Sequence, residues 1–207
     1  MSATDPYPVQ FDVEYPEGPR NRVTVLFRLI LAIPALIILG LFTDSATSTS
    51  DWQSYASAGG FLFLPTLLLL LFRHRYPRWW FDFNAQLLAF VNRVSIYFYL
   101  LRDEYPSTED RQALNMRVAY PDAKAQLSRW LPLVKWLLAI PHYIVLVFLS
   151  IALLVTTIVA WFAILFTGRY PRGLFDFSVG VHRWTTRVLC YSLLLTTDRY
   201  PPFRLGP

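Results

Sequence analysis

The chain has 207 residues, of which 55% are hydrophobic, 17% aromatic and only 16% charged, and its formal net charge at pH 7 is +5. A soluble domain usually has about 25% charged residues, so this composition argues against an ordinary cytosolic domain and excludes a disordered chain. The single cysteine excludes a disulfide-stabilised scaffold and a cysteine-rich metal module. We therefore expect an integral, multi-pass protein of the cell inner (plasma) membrane.

Apolar stretches of membrane-spanning length occur in both halves of the chain. A helix needs about 20 apolar residues to cross a hydrocarbon core of about 30 Å. The stretch from Leu131 to Phe166 is too long for a single span, even a tilted one, so it predicts two spans joined by a very tight turn. The four predicted spans are about 23–43, 55–72, 131–149 and 150–166.

Charge placement predicts the orientation of these spans. The loop at 44–54 contains Asp44 and Asp51 but no lysine or arginine, whereas basic residues flank the other ends of the spans. Because positive residues stay on the cytoplasmic side, we expect both termini and the central segment in the cytoplasm. The same placement favours anionic lipid head groups over nucleic acid as the partner of the basic residues, and we expect no nucleic-acid partner.

The chain repeats itself. Residues 22–34 match residues 129–141 at an offset of 107, and residues 72–83 match residues 166–177 at an offset of 94. The difference between the two offsets corresponds to the polar outer loop of the first half, which the second half lacks. Two spans in each repeat would give the halves one orientation, with a pseudo-twofold axis along the membrane normal. The predicted repeats are residues 1–107 and 108–207.

Each repeat continues beyond its second span. Residues 84–101 and 179–195 are predicted to be interfacial amphipathic helices. Residues 84–101 are the more apolar, and a third span is the alternative there; Val94–Leu101 also allows a strand. Val9–Tyr15 and Leu114–Tyr120 alternate apolar and polar residues, which allows a small cytoplasmic β element. The expected fold is an all-α membrane protein of four transmembrane helices in two tandem two-helix repeats.

Four motifs of the second half recur, with changes, in the first half. They are Ala139–His142, Gly168–Phe177, Arg183–Val188 and Thr197–Phe203. Through these motifs the chain resembles, over nearly its whole length, a family of bacterial multi-pass membrane proteins built on a domain of unknown function. The first half departs from this pattern, for example with Ala35 where the second half has His142. The resemblance implies no activity.

The first group of candidate site residues lies in the repeated R-Y-P-R-x-x-F-D-F element, together with Arg93 and Arg187, which continue its register. This element would end a span, place arginines at the level of lipid phosphates and place its tyrosines in the aromatic belt. Three interpretations stay open, namely a topology anchor that begins the next helix, an anionic-lipid site, and a site for a specific partner. The candidate lipid or partner residues are Arg75, Tyr76, Arg78, Asp82, Arg93, Arg169, Tyr170, Arg172, Asp176 and Arg187.

A second group consists of the polar residues inside the predicted spans, Arg28, Lys135 and His142. The two basic side chains are expected to snorkel to the cytoplasmic interface. His142 is either a structural hydrogen-bonding residue or a haem or metal ligand or proton relay. The spans contain no acidic coupling residue, and no catalytic motif stands out. We therefore expect no enzyme activity, cofactor or metal.

The expected function is that of a non-catalytic integral membrane accessory or scaffold protein, which packs against other subunits of a larger membrane complex or against itself. One alternative is a small oligomeric transporter or channel with a water-accessible path near His142, Arg28 and Lys135. Another alternative is an anionic-lipid-binding membrane protein.

Overall fold

The computed structural model describes residues 7–43, 58–107 and 112–207. Two strands and eight α-helices are found in these segments, together with one π-helical turn. In chain order they are β1 (Val9–Val13), α1 (Arg22–Leu26), α2 (Arg28–Thr43), α3 (Ala58–Leu68) with the π-helical turn Leu69–Arg73, α4 (Arg78–Phe98), β2 (Leu114–Val118), α5 (Ala123–Gln126), α6 (Pro132–Leu138), α7 (Ile140–Thr167) and α8 (Arg172–Ser192).

The prediction of four membrane-spanning helices is wrong. Within the described segments one helix, α7, is long and apolar enough to cross a membrane. The predicted spans 131–149 and 150–166 fall on the short helix α6 and on α7, and no turn separates Leu149 from Ser150. Nothing there breaks the helix, since α7 contains neither glycine nor proline after Pro141. The hydroxyl of Ser150 donates to the carbonyl of Leu146 at 2.7 Å, so it is satisfied within the helix.

Neither of the two spans predicted in the first half contains a described helix long enough to cross a membrane. The predicted span 23–43 is divided at Phe27 into α1 and α2, and the 16 residues of α2 would cover about 24 Å, less than a hydrocarbon core of about 30 Å. The predicted span 55–72 corresponds to α3 and the π-helical turn, which is also short. Residues 55–57 and the predicted outer loop at 44–54 lie outside the described residues.

The helices predicted to be interfacial lie in the interior instead. Helix α4 replaces the predicted 84–101 and runs to Phe98, so Val94–Leu101 is not a strand, and α4 is not among the helices apolar enough to span. Helix α8 replaces the predicted 179–195, and every residue from Ser178 to Trp184 is buried, so the helix is covered on all sides. The polar sector that indicated a membrane surface is therefore used for contacts inside the protein.

The two strands form an antiparallel pair in which Phe11 lies opposite Met116. In β1 the side chains of Val9, Phe11 and Val13 are buried and alternate with exposed residues, as expected when one face of a strand packs on a core. That core includes Val179 of α8, and the strand and helix contact each other directly.

Helix α7 runs antiparallel to α8 and contacts it near both ends. Leu149 and its neighbours, in the first half of α7, pack with Trp184 and Val188. Ala160 and Ile164, in its second half, lie in the cluster that contains the first turns of α8. One side of α7 therefore covers α8, and the opposite side faces away from the protein.

Candidate membrane-facing surface and its flanking residues

The outward side of α7 is apolar along the whole helix. Its inner side chains, such as Leu153, Ala160 and Ile164, are at most 3% exposed, whereas those of the outward side are at least half exposed. A soluble monomer rarely exposes a contiguous apolar patch larger than a few hundred Å², and larger ones mark a membrane or protein interface. We call this surface the apolar face; it consists of Ile144, Val147, Phe148, Ile151, Leu154, Val155, Ile158, Val159, Phe162 and Phe166.

Other exposed apolar side chains belong to the neighbouring short helices. In α2, Leu29 is 67% and Ile30 is 62% exposed, although the helix buries Ala32 and Ala35 on its inner side. Trp136 of α6 and Trp130 before it are also exposed. Within the described residues, the apolar surface is therefore not restricted to α7, the helix that is long and apolar enough to cross a membrane.

Exposed arginines follow the apolar helices in both halves. Arg169 and Arg172 come directly after α7, close in sequence to Phe166, whose side chain is 79% exposed. Arg75 and Arg78 come directly after the π-helical turn and are exposed too. Exposed cations beside exposed aromatic rings are typical of a membrane–water interface.

The tyrosines of the same motifs do not lie in an aromatic belt, because both are buried. Tyr76 is 3% and Tyr170 is 1% exposed. The Tyr76 hydroxyl donates to the Leu194 carbonyl at 2.9 Å, and the Tyr170 hydroxyl lies 3.3 Å from the Ser178 hydroxyl. These tyrosines therefore hold the start of each long inner helix in place.

A tyrosine from the other half of the chain fixes each motif. The Tyr120 hydroxyl donates to the Tyr76 carbonyl at 2.5 Å, and the Arg78 guanidinium lies 4.9 Å from the centre of the Tyr120 ring. In the same way, the Tyr15 hydroxyl donates to the Tyr170 carbonyl at 2.6 Å, and the guanidinium that follows lies 4.8 Å from the Tyr15 ring. Each ring therefore joins the two halves and orients an exposed arginine.

We expect the substitutions Tyr15→Phe and Tyr120→Phe to lower the free energy of unfolding by about 1 kcal/mol each, because each removes one hydrogen bond to a backbone carbonyl. The two losses should add, since the hydroxyls have different partners. Chemical unfolding in detergent micelles measures both. The control Tyr143→Phe, at a half-exposed position of α7, should leave the stability unchanged; equal losses in all three variants would contradict the expectation.

The remaining candidates of this group are dispersed. Asp82 and Asp176 are exposed on the first turns of α4 and α8, and Asp82 lies 3.7 Å from the Arg78 guanidinium. Arg93 is half-buried and donates to the Ser107 carbonyl at 2.8 Å. Arg187 is buried in α8, unlike the exposed arginines of the two motifs. The structure therefore does not bring all ten candidates together in one site.

Arg28 and Lys135 do not snorkel to an interface but are buried in ion pairs within the protein. Arg28 is 2% exposed and contacts the Asp103 carboxylate, which also accepts two hydrogen bonds of 2.8 Å from Arg20. Lys135 is fully buried and its Nζ lies 2.6 Å from the Asp198 carboxylate. Although burial raises the pKa of the Asp103 carboxyl, the two guanidinium groups hold that pKa below its usual value.

The two ion pairs share a second feature. The Arg28 guanidinium lies 4.1 Å from the centre of the Tyr97 ring, and the Lys135 ammonium lies 5.2 Å from the centre of the Tyr191 ring. The sequence analysis singled out neither aspartate as a partner of these basic residues. The available signal was their place in the similar segments Asp103–Pro106 and Asp198–Pro201 that end the two halves.

His142 lies in an aromatic pocket. The Trp184 indole donates to its Nδ1 at 3.1 Å, and the Phe203 ring stacks on the imidazole with a centroid separation of 4.0 Å. Its Nε2 is buried without a hydrogen-bond partner. Among the residues whose placement is described, no group of three or more His, Cys, Asp or Glu residues could hold a metal ion. This environment favours the structural interpretation of His142.

His182 is a buried titratable group that sequence reasoning did not single out as a site. It lies near the rings of Phe11 and Tyr99, and burial lowers the pKa of its imidazole to about 4. Its ordinary value is about 6.5. The folded protein therefore holds this imidazole neutral.

We expect the free energy of unfolding to fall as the pH is lowered from about 6.5 to 4. In this range the His182 imidazole becomes protonated in the unfolded chain but stays neutral in the folded protein, so a lower pH favours unfolding. The loss attributable to this residue reaches roughly 3 kcal/mol at pH 4. Denaturant midpoints between pH 4 and 7.5 measure it. In His182→Leu the slope should be shallower than in the wild-type protein, and identical slopes would refute the assignment.

Comparison with known proteins identifies one part of the chain. A family model described as "Domain of unknown function (DUF4389)" matches residues 129–204. This segment is a DUF4389 domain. It contains α6, α7 and α8, the Lys135–Asp198 pair and His142, and it lies within the predicted second repeat. That the likeness extends through both halves stays a prediction. No curated protein and no solved structure matches the chain.

Proposed function

We propose that the protein is a non-catalytic, membrane-associated accessory or scaffold protein that holds to the inner membrane through the apolar face of α7. The observation that carries this proposal is that face, because its side chains are apolar from Ile144 to Phe166 and at least half exposed. Removal of such a surface from water is favourable by about 25 cal/mol per Å². A lipid bilayer is the occupant that fits best, since the exposed Arg169 and Arg172 follow the exposed ring of Phe166 at the end of the face.

The contacts of α7 favour an orientation parallel to the membrane surface. Its inner side covers α8, which contains the buried arginines Arg183 and Arg187. A transverse α7 would draw this polar helix and the β-sheet packed on it into the hydrocarbon core, where charged groups are costly. A parallel α7 would bury only its outward side, about 5–10 Å deep, as interfacial helices do.

The exposed arginines complete the proposed surface. Arg169 and Arg172 follow the apolar face, and Arg75 and Arg78 follow the corresponding helices of the first half. A cytoplasmic leaflet with anionic lipids attracts such residues by about 1 kcal/mol each. Anionic-lipid binding is therefore part of the same proposal, with the motif tyrosines as the residues that position the arginines.

The tandem repeat is also part of this proposal and is supported by matched contacts. The basic residues at 28 and 135 each reach an aspartate near the end of their own half, and each lies over a tyrosine ring. Phe11 and Met116 face each other at the middle of the strand pair, which is where a pseudo-twofold axis would pass. The transporter alternative is less well supported, because Arg28 and Lys135 are neutralised by carboxylates.

Vesicle flotation tests the proposal. We expect the purified protein, freed of detergent in the presence of vesicles, to float with phosphatidylcholine vesicles and to float more completely when anionic phospholipid is added. Salt screens the attraction between charges but does not weaken the burial of apolar side chains in the bilayer. Most of the protein should therefore stay bound at 1 M NaCl. Protein that stays at the bottom of the gradient with both lipid compositions, in a folded and monodisperse form, would refute it.

A further inference from the structure

A cleft lined by arginines lies beside the β-sheet. Its volume is about 560 Å³, within the range of about 300–1,000 Å³ that is usual for small-molecule sites. Strand β1 and the C-terminal segment line it together with α8 and β2. Four cationic side chains, Arg117, Arg183, Arg187 and Arg204, line the cleft.

The acidic groups of the cleft do not balance these charges. Asp12 is the one acidic side chain among the described residues that line it, and its carboxylate lies 2.9 Å from the Arg183 guanidinium. Arg183 also donates to two backbone carbonyls, those of Phe11 at 2.7 Å and Leu205 at 2.8 Å. Arg183 is therefore satisfied, and three cationic side chains of the lining have no carboxylate within it.

Arg187 has an unmet hydrogen-bonding group. The residue is 2% exposed, and its Nη1 donates to the Gly206 carbonyl at 3.0 Å. Its Nε, however, is buried and has no hydrogen-bond partner. A buried charged donor without a partner costs free energy, which a bound acceptor would recover. Burial, together with the nearby charges of Arg183 and Arg204, lowers the pKa of Arg187 to about 10, the direction expected where an anion is missing.

We propose that this cleft binds a small phosphate-bearing anion. Guanidinium groups present parallel N–H donors that match the oxygens of a phosphate, and several of them in one cleft suit a ligand with more than one negative charge. The ligand would be held by the buried Arg187 together with two exposed arginines, Arg117 of β2 and Arg204 of the C-terminal segment.

The source of the phosphate is a soluble compound or a lipid head group. This proposal does not depend on the membrane proposal, because none of the residues of the apolar face lines the cleft.

Thermal unfolding of the full chain in detergent micelles, with inorganic phosphate or pyrophosphate as the probe, tests the proposal. We expect pyrophosphate to raise Tm in a saturable manner and to act at lower concentration than phosphate, while equal ionic strength of NaCl has no such effect. In Arg117→Ser with Arg204→Ser, where both native side chains are exposed, the midpoint for pyrophosphate should rise at least tenfold. The matched control Arg75→Ser with Arg169→Ser removes the same charge elsewhere and should leave the midpoint unchanged.

A second arm distinguishes the two sources. If flotation with anionic vesicles is unchanged in Arg117→Ser with Arg204→Ser, the ligand is a soluble phosphate compound; if it is reduced, the ligand is a head group. The absence of a saturable Tm shift in the wild-type protein would overturn the proposal. Equal weakening in the cleft variant and in the matched control would also overturn it, because binding would then follow net charge alone.

Discussion

Asp103→Asn is expected to lower the free energy of unfolding by about 3 kcal/mol. The substitution removes the carboxylate that Arg20 and Arg28 share, and both guanidinium groups are at least 95% buried. Breaking a buried pair by removal of one partner typically costs about 3–5 kcal/mol, since the remaining charge is left uncompensated. We expect the lower end of this range of costs, because the Asp103 side chain is 31% exposed and its charge is partly screened by solvent.

An exposed ion pair provides the matched control for this prediction. The Arg78 and Asp82 side chains are 72% and 55% exposed and lie 3.7 Å apart. Because exposed pairs contribute about 0–1 kcal/mol, Asp82→Asn should change the stability by less than about 0.5 kcal/mol. Denaturant unfolding of both variants in the same micelles compares them directly. Similar losses in the two variants would show that Asp103 does not hold a buried ion pair.

The second large effect is expected on membrane binding. Ile151→Lys combined with Val155→Lys places two charges in the middle of the apolar face, where both native side chains are more than half exposed. We expect about a hundredfold weaker partitioning into vesicles, since the loss of two buried aliphatic side chains alone corresponds to about 3 kcal/mol. Sedimentation with graded amounts of lipid measures the partition coefficient.

The control for this pair adds the same charge on the sheet side of the protein. Asn115→Lys combined with Ala119→Lys changes two exposed residues in and directly after β2. This variant should bind vesicles at least as well as the wild-type protein, because cations favour an anionic surface. If the α7 pair bound as tightly as this control, the apolar face would not be the membrane-binding surface.

The positions of the apolar helices could be predicted from the sequence, but their number and their environment could not. Hydropathy gives the length of an apolar stretch and contains no term for a turn, so 131–166 was divided at residues where no glycine or proline breaks the helix. The same signal cannot distinguish a helix surrounded by lipid from one with a buried side. Leu153 and Leu154 are equally hydrophobic, yet the first is 3% and the second 55% exposed.

Polar residues were misplaced for a related physical reason. In the sequence, Arg28 and Lys135 lie among apolar residues. When a helix is considered alone, its side chains can be assigned only to lipid or to water, and not to a partner elsewhere in the protein. The aspartates that neutralise them follow about 60–75 residues later in the chain, so the pairing depends on tertiary contacts. The polar sector of α8 was interpreted as a water-facing side for the same reason, although Arg183 donates to a backbone carbonyl of β1.

The depth of α7 in the bilayer is the measurement that tests the account most directly. Spin labels would be attached to single cysteines at Ile144, Ile151 and Phe162 of the apolar face, in a chain in which buried Cys190 is replaced by alanine. Their accessibility to oxygen and to a water-soluble nickel complex gives the depth of each label. We predict three similar, shallow depths, as expected for a helix that lies along the surface. A depth that is greatest at residue 151 and small at both ends would show a transverse helix, and labels that are all water-accessible would show no insertion; either result would contradict the account.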